Sequence, residues 1–166
     1  MKKLLAFLLP VSLLTACISS APSPVIEVAG LYINGDDTDY TQHMNEMPSL
    51  KLDDEMTISL KLDGNGEELN TFLVDTSEVN KQKVTIVFDE VSDETLSKDK
   101  EFTDKDNGRL GFKDGVSQTL VGVKAKVRKI TPEGVTFRFY LFSKPADCEG
   151  AKYELKVRTA DRKEDI

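Results

Sequence analysis

The sequence predicts an all-β domain, an immunoglobulin-like or fibronectin III-like β-sandwich of seven or eight strands. Three observations carry that prediction. Apolar and polar residues alternate in short runs, most clearly from Met56 to Leu62 and from Val121 to Val127. Turn residues punctuate the chain at roughly ten-residue spacing. No stretch of respectable length carries the 3.6-residue period of an amphipathic helix. A small closed barrel is the alternative packing of the same strands.

The elements follow in order. Val25 to Ile33 is β-branched and apolar, and it ends at the turn pair Asn34-Gly35. Asp36 to Pro48 is polar and irregular. Asp39 followed by Gln42 has the spacing to cap one helical turn carrying His43, Met44 and Met47, which Pro48 would stop. Glu55 to Leu62 puts Met56, Ile58, Leu60 and Leu62 on one face and Thr57, Ser59 and Lys61 on the other, the mark of a half-buried strand. Asp63-Gly64-Asn65-Gly66 tolerates positive φ and reverses the chain. Leu69 to Val74 resumes as a strand anchored by Leu69 and Phe72. A turn is expected from Ser77 to Gln82, and then Val84, Ile86 and Phe88 form the next inward set.

Residues 89–108 are the longest weakly patterned region. They are acidic, with Asp89, Glu90, Asp93, Glu94, Asp99, Glu101, Asp104 and Asp106. Leu96 and Phe102 are expected to dip into the core, and loops of this length are usually functional or mobile. Arg109 to Phe112 reads as a short edge strand before Asp114-Gly115. Val121 to Ile130 follows, with Val121, Val123, Ala125 and Val127 inward. Thr131-Pro132-Glu133-Gly134 has the composition of a hairpin loop. Val135 to Phe142 returns with Phe137, Phe139 and Leu141 inward, and Tyr153 to Thr159 closes the fold with Tyr153, Leu155 and Val157 inward. The buried tryptophan and paired cysteines of antibody domains are absent.

The N-terminus reads differently. Lys2 and Lys3 precede an apolar run from Leu4 to Leu14, broken only by Pro10 and Ser12, and then Leu14-Thr15-Ala16-Cys17. That run is too short for a membrane-spanning helix and has the length of a signal-peptide core. The pattern is that of a bacterial lipoprotein signal. Residues 1–16 are then the signal peptide, Cys17 the lipid attachment site, 17–24 a flexible tether, 25–160 the sandwich and 161–166 a charged tail. An ordinary secretory signal cut near Ala16 is the alternative. Each buried methylene of an acyl chain contributes about 0.8 kcal/mol, so two or three chains would hold the protein to a membrane without a spanning helix.

Cutting before Cys17 removes 16 of 166 residues and two of 22 basic side chains. That leaves 150 residues with 20 basic and 29 acidic groups, a formal charge of −9. One domain with a real core fits that length. So acidic a chain is poorly suited to nucleic acid, and no nucleic-acid partner is expected. Cys148 has no partner once Cys17 is acylated, so a disulfide scaffold is ruled out. A buried thiol is expected, with pairing between chains as the alternative.

Few motifs carry chemistry. Asp104-Lys105-Asp106-Asn107-Gly108 resembles the start of a calcium loop, but its glycine comes one position early and position twelve is Gly115 instead of glutamate. The same objection covers Asp63 to Glu68 and the acidic knuckle Asp36, Asp37, Asp39. No metal and no cofactor are expected. There is no Gly-x-Ser-x-Gly elbow and no phosphate-cradling glycine loop, and the single histidine, His43, disfavours histidine-based nucleophile chemistry. No catalytic residue is singled out. One surface feature suggests binding. Lys124, Lys126 and Arg128 lie on one outward strand face, and Arg138, Lys156 and Arg158 would share it if the next two strands were neighbours. That basic plane would suit lipid headgroups, an acidic glycan or an acidic partner. The plain alternative is a solvated face balanced by Glu154 and the acidic 89–108 region.

Three features together, the Leu14–Cys17 lipobox, the segment Asp63-Gly64-Asn65-Gly66-Glu67-Glu68-Leu69 and the closing strands 121–159, resemble uncharacterised lipoproteins of Bacteroides and relatives with a single immunoglobulin-like sandwich. The resemblance implies no known activity. In such bacteria surface display goes with acidic residues just after the lipidated cysteine. Here the first is Glu27, which points to the periplasm-facing side of the outer membrane. The expected function is therefore a lipid-anchored, non-catalytic module of the envelope, docking a protein or glycan partner by an edge strand or the basic face. The alternative is an envelope enzyme or enzyme inhibitor with its site near residues 89–108.

Overall fold

Eight strands form two antiparallel sheets in the computed structural model, which describes residues 21–75 and 78–160. In chain order they are β1 (Val25–Ile33), β2 (Glu55–Asp63), β3 (Leu69–Val74), β4 (Val84–Val91), β5 (Arg109–Gly111), β6 (Gln118–Val127), β7 (Val135–Ser143) and β8 (Ala151–Val157). A six-residue helix, α1 (Glu78–Lys83), leads into β4. The first sheet has the order β1-β2-β6-β4 and the second β5-β3-β7-β8. This is the expected all-β sandwich, with two four-stranded sheets in place of one closed barrel. Cys17 and the lipobox, the tether as far as Ser20, Ser77 and the tail 161–166 lie outside the described residues.

The period-two pattern builds the core because successive strand side chains point to opposite faces. Met56, Ile58, Leu60 and Leu62 from β2 and Val121, Val123, Ala125 and Val127 from β6 are buried, as are Phe137, Phe139 and Leu141 from β7. Phe72 of β3 stacks on Phe139 at 6.0 Å between ring centroids and meets Phe88 of β4 at 6.3 Å. Leu155 and Val157 are buried as expected, while Tyr153 is only partly covered.

Several local expectations are corrected. The helical turn near His43 is a 3-10 turn over Met44–Glu46, and Asp39 does not cap it. The Asp39 carboxylate instead accepts from the Thr41 amide at 2.9 Å and the Leu31 amide at 3.2 Å. The reversal expected over 77–82 contains α1. Strand β6 stops at Val127, not Ile130, and β8 spans Ala151–Val157, not 153–159. Thr131 to Gly134 is not a hairpin loop. It carries the chain from β6 in the first sheet to β7 in the second, turning through Gly134 at φ +73°. The Asp63–Gly66 turn likewise joins strands in different sheets, β2 and β3.

Leu96 is buried as expected, but Phe102 is 50% exposed. The 92–104 segment lies along the outer edge of β5 as a strap. Ser97 N–H donates to the Gly111 carbonyl at 2.9 Å, Lys113 N–H to Thr95 at 3.0 Å, and Asp104 and Arg109 exchange main-chain bonds at 2.9 Å. Leu96 bridges Phe112, and the Thr103 hydroxyl donates to the Ser97 carbonyl at 3.0 Å.

Candidate functional site

The strand pairing divides the six basic candidates between two sheets. β7 pairs with β3 and β8, never with β6. Lys124 and Lys126 therefore project from the outer face of the first sheet, with Arg128 just past its end, whereas Arg138 and Lys156 project from the outer face of the second, with Arg158 just past β8. The single basic plane does not form. The reason is the 131–134 crossover, which moves the chain to the other layer.

Most of these cations also have local partners. Lys124 Nζ lies 3.0 Å from Asp89, and that hydrogen bond raises its pKa. Asp53 serves both Lys126 at 3.6 Å and Arg128 at 3.2 Å. Arg138 holds Glu154 at 2.9 Å and Asp75 at 3.2 Å, and the Glu154 bond is the main cause of its raised pKa. Arg158 Nη2 donates to the Met47 carbonyl at 3.0 Å.

Asp89, Asp93, Asp99 and Asp104 of the 89–108 region are likewise engaged locally. Asp93 pairs with Lys105 at 3.0 Å. Asp104 accepts from the side chain and the amide of Asn107, which lowers its pKa, and so closes a 3-10 turn over Lys105–Asn107. Among the described residues no three His, Cys, Asp or Glu side chains converge in a way that could hold a metal ion.

The outer face of the second sheet carries a different feature. Where the strap crosses β5, a hollow of about 610 Å³ is lined by Thr71 and Leu73 of β3, Arg109 of β5, Phe102 of the strap, Phe142 of β7, and Lys144 and Cys148 beyond it. A second hollow of about 600 Å³ shares Asn70, Phe102 and Lys144 and adds Lys98, Lys113 and Asp114. Phe102 and Phe142 are 50% and 39% exposed, so two aromatic rings face solvent in the groove. Arg109 Nε is buried and has no hydrogen-bond partner among the described residues. Lys144 binds Glu68 at 2.6 Å and also Asp114. Asp114 is lowered mainly by that lysine, and Glu68 mainly by the Gly115 amide, with Lys144 second.

One end of the groove adjoins the start of the domain. The Cys148 thiol is half-exposed instead of buried and donates to the Pro22 carbonyl at 3.1 Å. Asn65 Nδ2 donates to the Ser23 carbonyl at 3.2 Å.

The family described as "Domain of unknown function (DUF5035)" matches residues 17–159. The chain belongs to that family. No curated protein matches this DUF5035 chain. A solved structure titled "Crystal structure of BslA - A bacterial hydrophobin" is similar to it over 84% of this chain and 98% of that one. The identity is 14% and the TM-score 0.37.

The sequence reading missed the groove residues of this DUF5035 domain because three separate segments assemble them. One signal was available. If Phe137, Phe139 and Leu141 face inward, Phe142 falls on the outward face of the same strand.

Proposed function

We propose that this protein is a lipoprotein of the bacterial envelope, anchored to the outer membrane through acyl chains on Cys17. It faces the periplasm and works as a non-catalytic binding module. The lipobox Leu14-Thr15-Ala16-Cys17 supports the anchor, and a resemblance to lipoproteins of Bacteroides and relatives agrees with it. The immunoglobulin-like reading is supported by strand order. With β5 left out, β1-β2-β6-β4 and β3-β7-β8 follow the ABED and CFG order of that fold.

The observation that carries the binding reading is the groove around Arg109. The Arg109 guanidinium beside two exposed phenyl rings suits a protein segment or glycan that offers an anion and an apolar face. Catalysis is less well supported. A general acid needs a raised pKa, and the carboxylates Asp114 and Glu68 are lowered by their partners. Two measurements test the reading. Mass spectrometry of the mature N-terminus should find an acylated Cys17, and an unmodified residue there would remove the anchor. Crosslinking and pull-down from intact cells should recover a partner that Arg109→Gln and Phe142→Ala both lose. A partner held equally by both variants would remove the groove.

A further inference from the structure

Each sheet has two edges, and three of the four are defended. The 95–104 strap is hydrogen-bonded along β5. Lys152, Glu154 and Lys156 stand along β8. On β1, Asp39 and Tyr40 occupy the main chain of Leu31, Glu27 adds a charge, and a bulge falls between Val28 and Gly30. Charges, bulges and covering segments are the usual protections of an edge strand.

Over Val84-Thr85-Ile86-Val87-Phe88 strand β4 carries no charge, no proline and no bulge, and although the Lys105–Asn107 turn lies against it, that turn makes no main-chain hydrogen bond to it. Its bulge comes only after Phe88. Arg128 N–H donates to the Lys83 carbonyl at 2.7 Å, so Lys83 and Arg128 form a hydrogen-bonded pair. By the antiparallel alternation, Thr85 and Val87 bond to β6, while Val84, Ile86 and Phe88 aim their N–H and C=O groups away from the sheet. Among the described residues no main-chain bond outside the helices and strands reaches the outward groups of Ile86 and Phe88, while the Val84 N–H adjoins the last turn of α1. Val87 is 52% exposed, and a hollow of about 470 Å³ separates Ile86 and Phe88 from Lys105 and Asp106 of the 105–107 turn.

We propose that this edge pairs with β4 of a second copy of the chain, antiparallel, about a two-fold axis at Ile86. The strand is its own complement in that register. Val84 stands opposite Phe88 and Ile86 opposite Ile86, so the outward groups of Ile86 and the Phe88 N–H find partners. Thr85 stands opposite Val87. At each end Lys83 meets Asp89 of the other copy. Lys83 lies 3.4 Å from Glu133 and Asp89 lies 3.0 Å from Lys124, so the contact completes a row of alternating charges, Glu133, Lys83, Asp89, Lys124. A one-residue slip would set outward groups against groups already bonded to β6 and would lose the charge match. The product is one continuous eight-stranded sheet, closed by its two-fold axis. This contact is separate from the groove and does not rest on the binding reading.

Sedimentation equilibrium of the purified full chain tests it, in density-matched detergent if the chain carries lipid. The wild type should show a reversible monomer–dimer equilibrium. Val87→Lys puts a charge on a side chain already in solvent. Ile86→Pro removes an N–H that faces away from β6. Both should weaken the dimer by about tenfold or more. Circular dichroism of Val87→Lys should match wild type, so that variant decides the question if the proline variant misfolds. A wild type that stays monomeric at every concentration would overturn the proposal. So would a dimer undiminished in Val87→Lys, or a series of species larger than dimer.

Discussion

A β-carbon placed on Gly111 would lie 2.7 Å from the β-carbon of Phe102 and 2.9 Å from the Phe102 carbonyl oxygen. Glycine lets the strap lie flat on β5. Gly111→Ala should lift the strap and cost about 1–3 kcal/mol by overpacking. Urea unfolding would measure the loss, and hydrogen exchange at the Ser97 amide, which bonds to the Gly111 carbonyl, should quicken. An alanine variant as stable as wild type would contradict this packing.

The two phenyl environments should separate cleanly. Phe72 is wholly buried and stacked on Phe139, so Phe72→Ala should cost about 3–5 kcal/mol. Phe142 faces the groove, and its alanine variant should stay within about 0.5 kcal/mol of wild type. Denaturation midpoints of the two variants would check the contrast.

Lys144 gives the groove a pH dependence with a definite sign. The carboxyls of Glu68 and Asp114 lie below their usual values of 4.5 and 3.8, and the ammonium lies above 10.5. Lowered acids stabilise the fold above their unfolded values, and that contribution fades as pH falls through the folded ones. A raised lysine stabilises it below 10.5 and loses the effect as pH rises through its folded value. Lys144→Met should therefore be less stable than wild type at neutral pH. The gap should narrow in acid and again in strong alkali. Glu68 keeps its Gly115 amide, so its lowered pKa should survive in part. Urea midpoints of both chains across pH would show the plateau.

Two turn glycines should respond unequally to alanine. Gly66 has φ +97° and open space around it, so Gly66→Ala should pay only the left-handed backbone cost, about 1–2 kcal/mol. Gly134 has φ +73°, and a β-carbon there would lie 2.2 Å from the Val157 carbonyl oxygen, so main chain must move as well. Gly134→Ala should lower the melting temperature more than Gly66→Ala, and the reverse order would refute the crossover geometry.

The strands were legible because burial on one face writes a two-residue period into them, as in Met56-Thr57-Ile58. Which sheet each strand joins was not. A Pro-Gly link such as Thr131–Gly134 has the same composition whether it folds β7 beside β6 or carries it to the opposite layer, and the basic plane rested on that choice. Phe102 misled for a related reason. Its apolarity suggests core, but the strap reaches β5 from outside and leaves the ring on the surface. Arg109 gave no signal, because its setting depends on Phe142, remote in the chain, and on the strap folding Phe102 back beside it.

The bond between Cys148 and Pro22 fixes where the domain's leash departs. Five peptide steps separate Pro22 from Cys17, at most about 18 Å of stretched chain. Under the proposed anchoring, the mouth of the groove nearest Cys148 would hover over the headgroup layer. Cargo could then reach it only by travelling laterally through the thin film of water beside the bilayer.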